Sequence, residues 1–115
     1  MNYDKDQADF IGIFNTIQAR AHVEARSKGF WDKVKSDGDF MMLMVTELAE
    51  GYEALRAGNI RDDKIPEFLG IEAELADTVI RIMDYAQGKG LRVAEALIAK
   101  MEMNKTREYK HGKQF

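Results

Sequence analysis

The chain has 115 residues, of which 45% are apolar and 32% charged, a balance that suits one globular domain and excludes a disordered chain. It contains no cysteine, which excludes disulfides and thiolate zinc sites, and its formal net charge of −3 argues against nucleic acid as a partner. No apolar run is long enough to span a membrane, and the first residues lack the basic-then-apolar order of a signal peptide. We therefore expect a cytoplasmic protein whose single domain covers residues 1–115.

The first predicted helix runs from about Asp6 to Ser27. Its apolar residues recur at helical spacing and form one stripe. These residues are Phe10, Ile13, Phe14, Ile17 and Ala21. The link that follows, residues 28–38, is irregular and carries the only tryptophan, Trp31. Two interpretations of this ring stay open: it plugs one end of the helical bundle, or it stacks on a base beside a cleft.

The second predicted helix starts near Asp39, a good N-cap, and ends at Arg56, where Gly58 suits the left-handed position after the helix. One arc of it is apolar. The arc consists of Phe40, Met44, Leu48, Gly51 and Leu55. The arc predicts the face that packs against the rest of the protein.

Acidic residues interrupt this second helix. Glu47 falls inside the apolar arc, Glu50 falls on its edge, and Glu53 faces away towards solvent. A buried acid is costly unless it is paired, protonated or bound to a metal. Glu47 is therefore either an accident of packing or part of an inward-facing metal site.

The third predicted helix has Pro66 at its first position and runs to about Gln87, and the fourth covers roughly 91–106. The basic tail, residues 107–115, is expected to be mobile. Every long segment has the helical period and none alternates, so the predicted fold class is an all-α four-helix bundle. Apolar residues such as Met41 and Ile80 lie off the main stripes, so we expect a homodimer or a dimer of dimers.

The third helix carries a second acidic pair, Glu74 and Asp77, on the same face as Arg81 and Asp84. Taken alone, this face is an ordinary polar surface. Two consecutive helices joined by a short loop pack antiparallel, so this pair can face the acids of the second helix. Four converging carboxylates raise one another's pKa values, and a hard divalent cation removes the repulsion.

Oxygen-only ligands favour Mg²⁺ or Mn²⁺ over zinc or copper. Mg²⁺ often takes its remaining ligands from substrate phosphates, so the acidic pairs predict a phosphorylated substrate. The competing di-iron carboxylate site needs Glu-x-x-His on two helices. His22 has Ala19 three residues before it, which leaves Glu108–His111 in the tail as the only such spacing. The di-iron interpretation is therefore rejected.

With both acidic pairs placed, the chain resembles the MazG-like all-α nucleoside triphosphate pyrophosphohydrolases. The hallmark of that family is Glu-x-x-Glu on one helix and Glu-x-x-Asp on the next, here Glu47–Glu50 and Glu74–Asp77. The sequence around the second pair, residues 74–81, and the tail segment 100–113 are also similar. One departure is Thr46, which stands where many members have a further acid.

The resemblance implies a definite reaction: a nucleoside triphosphate is cut between its α and β phosphorus atoms, giving a monophosphate and pyrophosphate, as in nucleotide-pool house-cleaning. It implies metal ligation by Glu47, Glu50, Glu74 and Asp77. It implies phosphate contacts from Asn104, Lys105 and Arg107, and base contacts from His22 and Trp31. More than one Mg²⁺ would be needed beside the triphosphate, and the general base is Glu47 or Glu50, a choice that stays open.

Two other functions stay open from the sequence. One is a non-catalytic helical oligomer that binds a nucleotide or a metal without turnover. The other is a purely structural helical dimer in which the acids decorate the surface. The preferred base is not determined by these residues.

Overall fold

The computed structural model describes residues 2–114; Met1 and Phe115, the last residue of the predicted tail, lie outside them. The helices are α1 (Lys5–Ser27), α2 (Asp37–Arg56), α3 (Gly70–Lys89) and α4 (Val93–Asn104), followed by a 3₁₀ turn at Tyr109–Gly112. The predicted all-α fold is confirmed: four helices pack together, and the only β pairing among residues 2–114 is an isolated bridge between Arg61 and Leu69. None of the helices in this range is long and apolar enough to cross a membrane.

The start of α2 is decided by its cap. Ser36 Oγ accepts a hydrogen bond from the Asp39 amide, and the Asp39 carboxylate accepts one from the Ser36 amide, both at 3.1 Å. This reciprocal capping box begins the helix at Asp37, whereas a cap at Asp39 would have begun it three residues later. Asp39 is therefore the third residue of the helix and not its N-cap.

The start of α3 is Gly70, and the prediction that Pro66 opens this helix was wrong. The preceding loop folds back on itself, because the Gly70 amide donates to the Ile60 carbonyl at 2.8 Å. Asn59 then caps the helix by accepting from the Ile71 amide at 3.0 Å. Gly58, at φ 95°, takes the left-handed position predicted for it after α2.

α2 and α3 pack antiparallel as predicted, although the connection between them is longer than expected and spans residues 57–69. The Tyr85 hydroxyl donates to Asp37 at 2.9 Å near one end of the pair, and Arg81 Nε donates to Glu47 at 2.8 Å further along. Towards the other end of the pair, Gly51 of α2 packs against the side chain of Ile71 on α3. The two helices therefore remain in contact over most of their length.

α1 runs antiparallel to both α3 and α4. Its C-terminal half pairs with the end of α3, where Gln18 Nε2 donates to Gln87 at 3.2 Å. Its N-terminal half pairs with α4, where Asn15 donates to Glu95 at 3.0 Å and Gln7 donates to Glu102 at 3.1 Å. α3 and α4 therefore follow one another along α1.

This arrangement leaves a small core. The buried apolar residues among the described ones are Phe40, Ala73, Met83, Ala86, Ala94 and Ile98. The radius of gyration is 16.5 Å, against about 13 Å for a compact chain of this length. The accessible surface is 8724 Å², against roughly 6,400 Å² for a monomer of 13.1 kDa. One chain therefore exposes much more surface than an ordinary monomer of its size.

A large part of that surface lies on α2. Five apolar residues at spacings of four and three form a continuous exposed face, which we call the outer stripe. They are Met41, Val45, Leu48, Tyr52 and Leu55, with exposures between 42% and 64%. The sequence placed Leu48 and Leu55 on the packing face of this helix, and that was wrong, because each is 50% exposed. The face that packs on α3 carries Glu47 and Gly51 instead.

Candidate metal centre and adjoining cleft

Three of the predicted acids come together between α2 and α3. One carboxylate oxygen each from Glu47, Glu50 and Glu74 lies within 4.8 Å of the other two, and we call these residues the acidic triad. Glu47 is buried, Glu74 is half-buried and Glu50 is exposed, so the triad opens to solvent on one side. Glu53 is exposed and pairs with Arg56 at 3.0 Å, as expected of a residue that faces away.

Gly51 allows the helices to approach closely at the triad. A Cβ atom on this residue would lie 3.1 Å from Ile71 Cδ1 and 3.4 Å from Glu74 Cβ. The first distance is shorter than an ordinary van der Waals contact between carbons. Glycine at this position therefore lets Glu74 approach Glu47 and Glu50 across the interface between the helices.

Glu47 and Glu74 respond oppositely to this crowding. Burial alone would raise the pKa of Glu47, but the hydrogen bond from Arg81 and hydrogen bonding with Glu74 outweigh it, and the pKa lies below 4.5. For Glu74, burial together with the neighbouring carboxylates Glu47 and Glu50 raises the pKa to about 7. Near neutral pH the triad therefore holds a proton that an isolated glutamate would have lost.

The donor set of the triad fits a hard divalent cation. All three residues offer carboxylate oxygens, which are the ligands that Mg²⁺ and Mn²⁺ prefer. Glu74 Oε2 is buried and has no hydrogen-bond partner within residues 2–114, and a buried oxygen of this kind is costly. A cation in place of the shared proton would give that oxygen a partner and remove the repulsion between the carboxylates.

Asp77, the fourth predicted ligand, lies one turn of α3 beyond Glu74. It is exposed, and it is not among the oxygens that converge within 4.8 Å. Partial burial of its carboxyl group and the negative charge of Glu47 both raise the pKa of Asp77. The structure thus brings three of the four predicted ligands together, with Asp77 close enough to feel their charge.

A cleft of about 590 Å³ opens between α1, α2 and α3, and Glu47 and Asp77 form part of its wall. Its other polar lining residues are Arg20, Glu24, Lys28, Lys35, Arg81 and Asp84. Its apolar lining includes Ile17, Phe30, Phe40, Leu43, Ile80 and Met83. The volume and the mainly apolar wall with a few polar groups are typical of a small-molecule site.

The predicted base residues His22 and Trp31 do not line this cleft. Trp31 Nε1 donates to Asp84 Oδ1 at 2.8 Å, and its ring packs on Phe40 with centroids 4.8 Å apart. A Cβ atom on Gly88 would lie 2.3 Å from the tryptophan ring, so only glycine leaves room for it there. Trp31 is therefore packed as a plug against α3, and its contact with a base stays a prediction.

The predicted phosphate residues lie at the far end of α1. Lys105 pairs with Glu102 at 2.9 Å, and Glu102 in turn contacts Gln7. Gln7 and the cleft residue Arg20 are separated by about 20 Å along α1. The structure therefore does not bring Asn104, Lys105 and Arg107 to the cleft of their own chain. Asn104 Oδ1 is buried and has no hydrogen-bond partner among the described residues.

Sequence reasoning missed several cleft residues as site candidates. Arg20 belongs to α1 and Lys35 to the irregular link, and neither lies in an acidic motif. Asp84 was placed only on the polar face of the third helix. Its spacing of seven residues from Asp77 puts it two turns along the same face, and that signal was available in the sequence.

The chain matches no family model, no curated protein and no solved structure. Its function has to be inferred from the motif residues and from their geometry.

Proposed function

We propose that the protein is a Mg²⁺-dependent pyrophosphohydrolase of the MazG-like kind, which cuts a (deoxy)nucleoside triphosphate into a monophosphate and pyrophosphate. The acidic triad carries the proposal. Its crowded carboxylates, the raised pKa of Glu74 and the partnerless buried oxygen all favour a divalent cation. The triad also adjoins a cleft whose size suits a nucleotide.

Glu47, Glu50 and Glu74 would hold the metal, with Asp77 beside them. A bound divalent cation supplies charge neutralisation at phosphoryl oxygens and lowers the pKa of a coordinated water. Of the two candidate bases, Glu50 is better placed to take a proton from water, because it is exposed whereas Glu47 is buried and held by Arg81. Glu50 would then accept the proton of the attacking water.

The phosphates would meet positive charge from the cleft wall. Arg20, Lys28 and Lys35 of the same chain line the cleft and can bind phosphate oxygens or stabilise the departing pyrophosphate. Asn104, Lys105 and Arg107 keep their predicted phosphate role only if they come from another chain, because they lie far from the cleft of their own.

The working form in this proposal is a homodimer or a dimer of dimers. A single chain exposes roughly 2,300 Å² more surface than a monomer of its mass, which is the scale that one partner buries in a large obligate interface. The outer stripe provides a continuous apolar face for that contact. A second copy would also be the source of the tail residues at the phosphates.

The test is a screen of pyrophosphate release over standard, deoxy and modified nucleoside triphosphates in the presence of Mg²⁺. We expect at least one substrate to give pyrophosphate and a nucleoside monophosphate in equal amounts. Release of orthophosphate would contradict the proposed position of cleavage. Nucleotide binding without any release would favour the non-catalytic oligomer, and no response of thermal stability to Mg²⁺ would favour the purely structural dimer.

A further inference from the structure

We propose that Asp84 reads the base of the bound nucleotide and selects bases that carry an exocyclic amino group. The identity of the ligand as a nucleotide rests on the proposed function. The role of Asp84 within the cleft rests on its own geometry.

The Asp84 carboxylate is held in one orientation. Its side chain is only 14% exposed, and its Oδ1 atom lies 2.8 Å from both Trp31 Nε1 and His22 Nδ1. Within residues 2–114 no hydrogen bond reaches its other oxygen, Oδ2. A carboxylate with two partners on one oxygen keeps its second oxygen as an acceptor of fixed direction.

Asp84 is also part of the cleft wall. It shares that wall with Phe30, a residue that is 49% exposed, and with the apolar side chain of Ile80. An exposed aromatic face beside an apolar surface is a stacking platform for any base, because every base has a π face. Stacking of this kind does not discriminate between bases, so discrimination in the cleft has to come from a polar group at the edge of the base.

A carboxylate oxygen accepts hydrogen bonds and cannot donate them when ionised. It therefore pairs with the amino group of cytosine or adenine and repels the carbonyl that uracil or hypoxanthine carries at the same position. A site built around a polar partner rejects an analogue that lacks that partner, since the protein group is then left unpaired. The free oxygen of Asp84 gives the cleft this preference.

His22 and Trp31 act through Asp84 in this arrangement and are positioning residues. His22 also packs edge-on against the tryptophan ring, with centroids 4.9 Å apart. Gly88 leaves space for that ring. His22, Trp31 and Gly88 therefore keep the Asp84 carboxylate in place without lining the cleft themselves.

The experiment compares two pairs of substrates that differ by amino against carbonyl at one position: dCTP with dUTP, and dATP with dITP. In the wild-type protein we expect kcat/KM to favour the amino member of at least one pair by about tenfold. Asp84→Asn keeps an acceptor for Trp31 and places a donor towards the cleft, so the preference should vanish or reverse. Asp9→Asn, which removes the same charge from the exposed surface of α1, should keep the wild-type ratio.

Trp31→Phe provides a second variant that keeps a ring while removing the donor to Asp84, and it also serves if Asp84→Asn does not fold. Its expected effect is a several-fold weaker preference for the amino member. An unchanged ratio in the variants would overturn the proposal, even if all four activities fell together, because Asp84 would then be only a structural clamp. Equal rates within both pairs in the wild type would overturn it too.

Failure of the proposed function is distinguishable from failure of this inference. If the wild-type protein releases no pyrophosphate from any triphosphate of the full screen, the proposed function fails, and the same pairs are compared as ligands by thermal shift with Mg²⁺. A larger shift with the amino member that disappears in Asp84→Asn supports base reading without turnover. Equal shifts within each pair, or no shift at all, overturn it. Release from other triphosphates but from none of these four would leave the proposed function standing and overturn this inference.

Discussion

The two faces of α2 reverse the usual distribution of residues on a helix, in which apolar side chains are buried and charged ones are exposed. The inner face buries an acid, Glu47, which is 8% exposed, whereas the outer stripe leaves apolar side chains such as Leu48 half exposed. Both arrangements cost an isolated chain stability, since buried charge and exposed apolar surface are unfavourable, and on the inner face Arg81 offsets part of that cost by pairing with Glu47 at 2.8 Å. Each face is understandable if it has a partner. We propose a cation as the partner of the inner face and a second copy of the chain as the partner of the outer stripe.

Substitutions on the inner face of α2 should have the largest effect on activity. Glu47→Gln and Glu74→Gln each remove one charge from the triad while keeping its shape, and we expect kcat/KM for triphosphate hydrolysis to fall by about a thousandfold or more. The matched control is Glu53→Gln, on the same helix but exposed and turned away, which should keep wild-type activity. Pyrophosphate release checks all three, and circular dichroism checks that the helices persist. Full activity in either triad variant would rule out the metal role.

The outer stripe should determine assembly. Leu48→Glu places a charge at its centre, so we expect the oligomer to dissociate to a mass near 13.1 kDa, because burying an unpaired charge costs more than the apolar contact returns. Light scattering coupled to gel filtration measures this mass. Glu53→Gln again serves as the control and should keep the wild-type mass. A wild-type protein that already runs as a monomer would contradict the assignment of this face.

Mixed oligomers would show whether the tail of one chain completes the site around the acidic triad of another. Glu47→Gln disables the triad and Arg107→Ala disables the tail, so each variant alone should be inactive. If the tail comes from the second copy, an equal mixture of dimers that exchange subunits should regain about a quarter of wild-type activity, because half the dimers are mixed and each then has one intact site. No recovery after verified subunit exchange would mean that the tail does not act across the interface.

The sequence predicted the helices well because period, caps and breakers are local signals. It predicted Glu47 as an anomaly for the same reason. The apolar arc predicted for α2 was partly wrong about burial, because it combined residues of the inner face with Leu48 and Leu55 of the outer stripe. Apolar residues cover about half the helix, and only contact with α3 decides which of them are covered. Local patterns do not contain that information.

The candidate site was predictable in part. The converging glutamates follow from their spacing and from antiparallel packing, which are both sequence-level arguments. The closeness of the triad depends on Gly51, and the cleft depends on α1, which lies far from the acids in sequence. The tail residues could not be placed, because the sequence does not show that α4 packs on the opposite half of α1 from the cleft.

Gly51→Ala tests the close approach on the inner face with a smaller effect. The added methyl would lie 3.1 Å from Ile71 Cδ1 and 3.4 Å from Glu74 Cβ, so Ile71 or the helix has to shift by a few tenths of an ångström. We expect activity to fall about tenfold through displacement of Glu74. Stability should change little, because alanine favours a helix over glycine by about 1 kcal/mol and offsets the strain.

Gly12→Ala is the matched control for this change. Gly12 lies within α1, and a Cβ atom there would meet nothing within 4 Å. It should raise the thermal midpoint slightly through helix propensity and leave pyrophosphate release unchanged. Equal activity losses in both variants would mean that the approach of the helices at Gly51 does not matter for the triad.

The smallest expected effect is the pH dependence of stability without metal. Because the pKa of Glu74 is raised from 4.5 to about 7, the native state holds a proton between these values that the unfolded chain has lost. The stability that this proton provides is complete below pH 4.5 and is lost as the pH rises towards 7. The raised pKa of Asp77 acts in the same direction, whereas Glu47, with its lowered pKa, loses its contribution only below about pH 4.5.

Thermal midpoints measured with a chelator present should therefore decline between pH 4.5 and 7, and Glu74→Gln should flatten the decline. Added Mg²⁺ should stabilise the protein more at pH 8 than at pH 5, because binding needs the ionised carboxylate and a ligand of the native state stabilises it by mass action. The residues of the outer stripe include no carboxylate that could hold Mg²⁺, so Leu48→Glu protein should lose its assembly yet keep the Mg²⁺ response of its triad. A Mg²⁺ response that disappears together with the oligomer would instead mean that the two faces of α2 form one site.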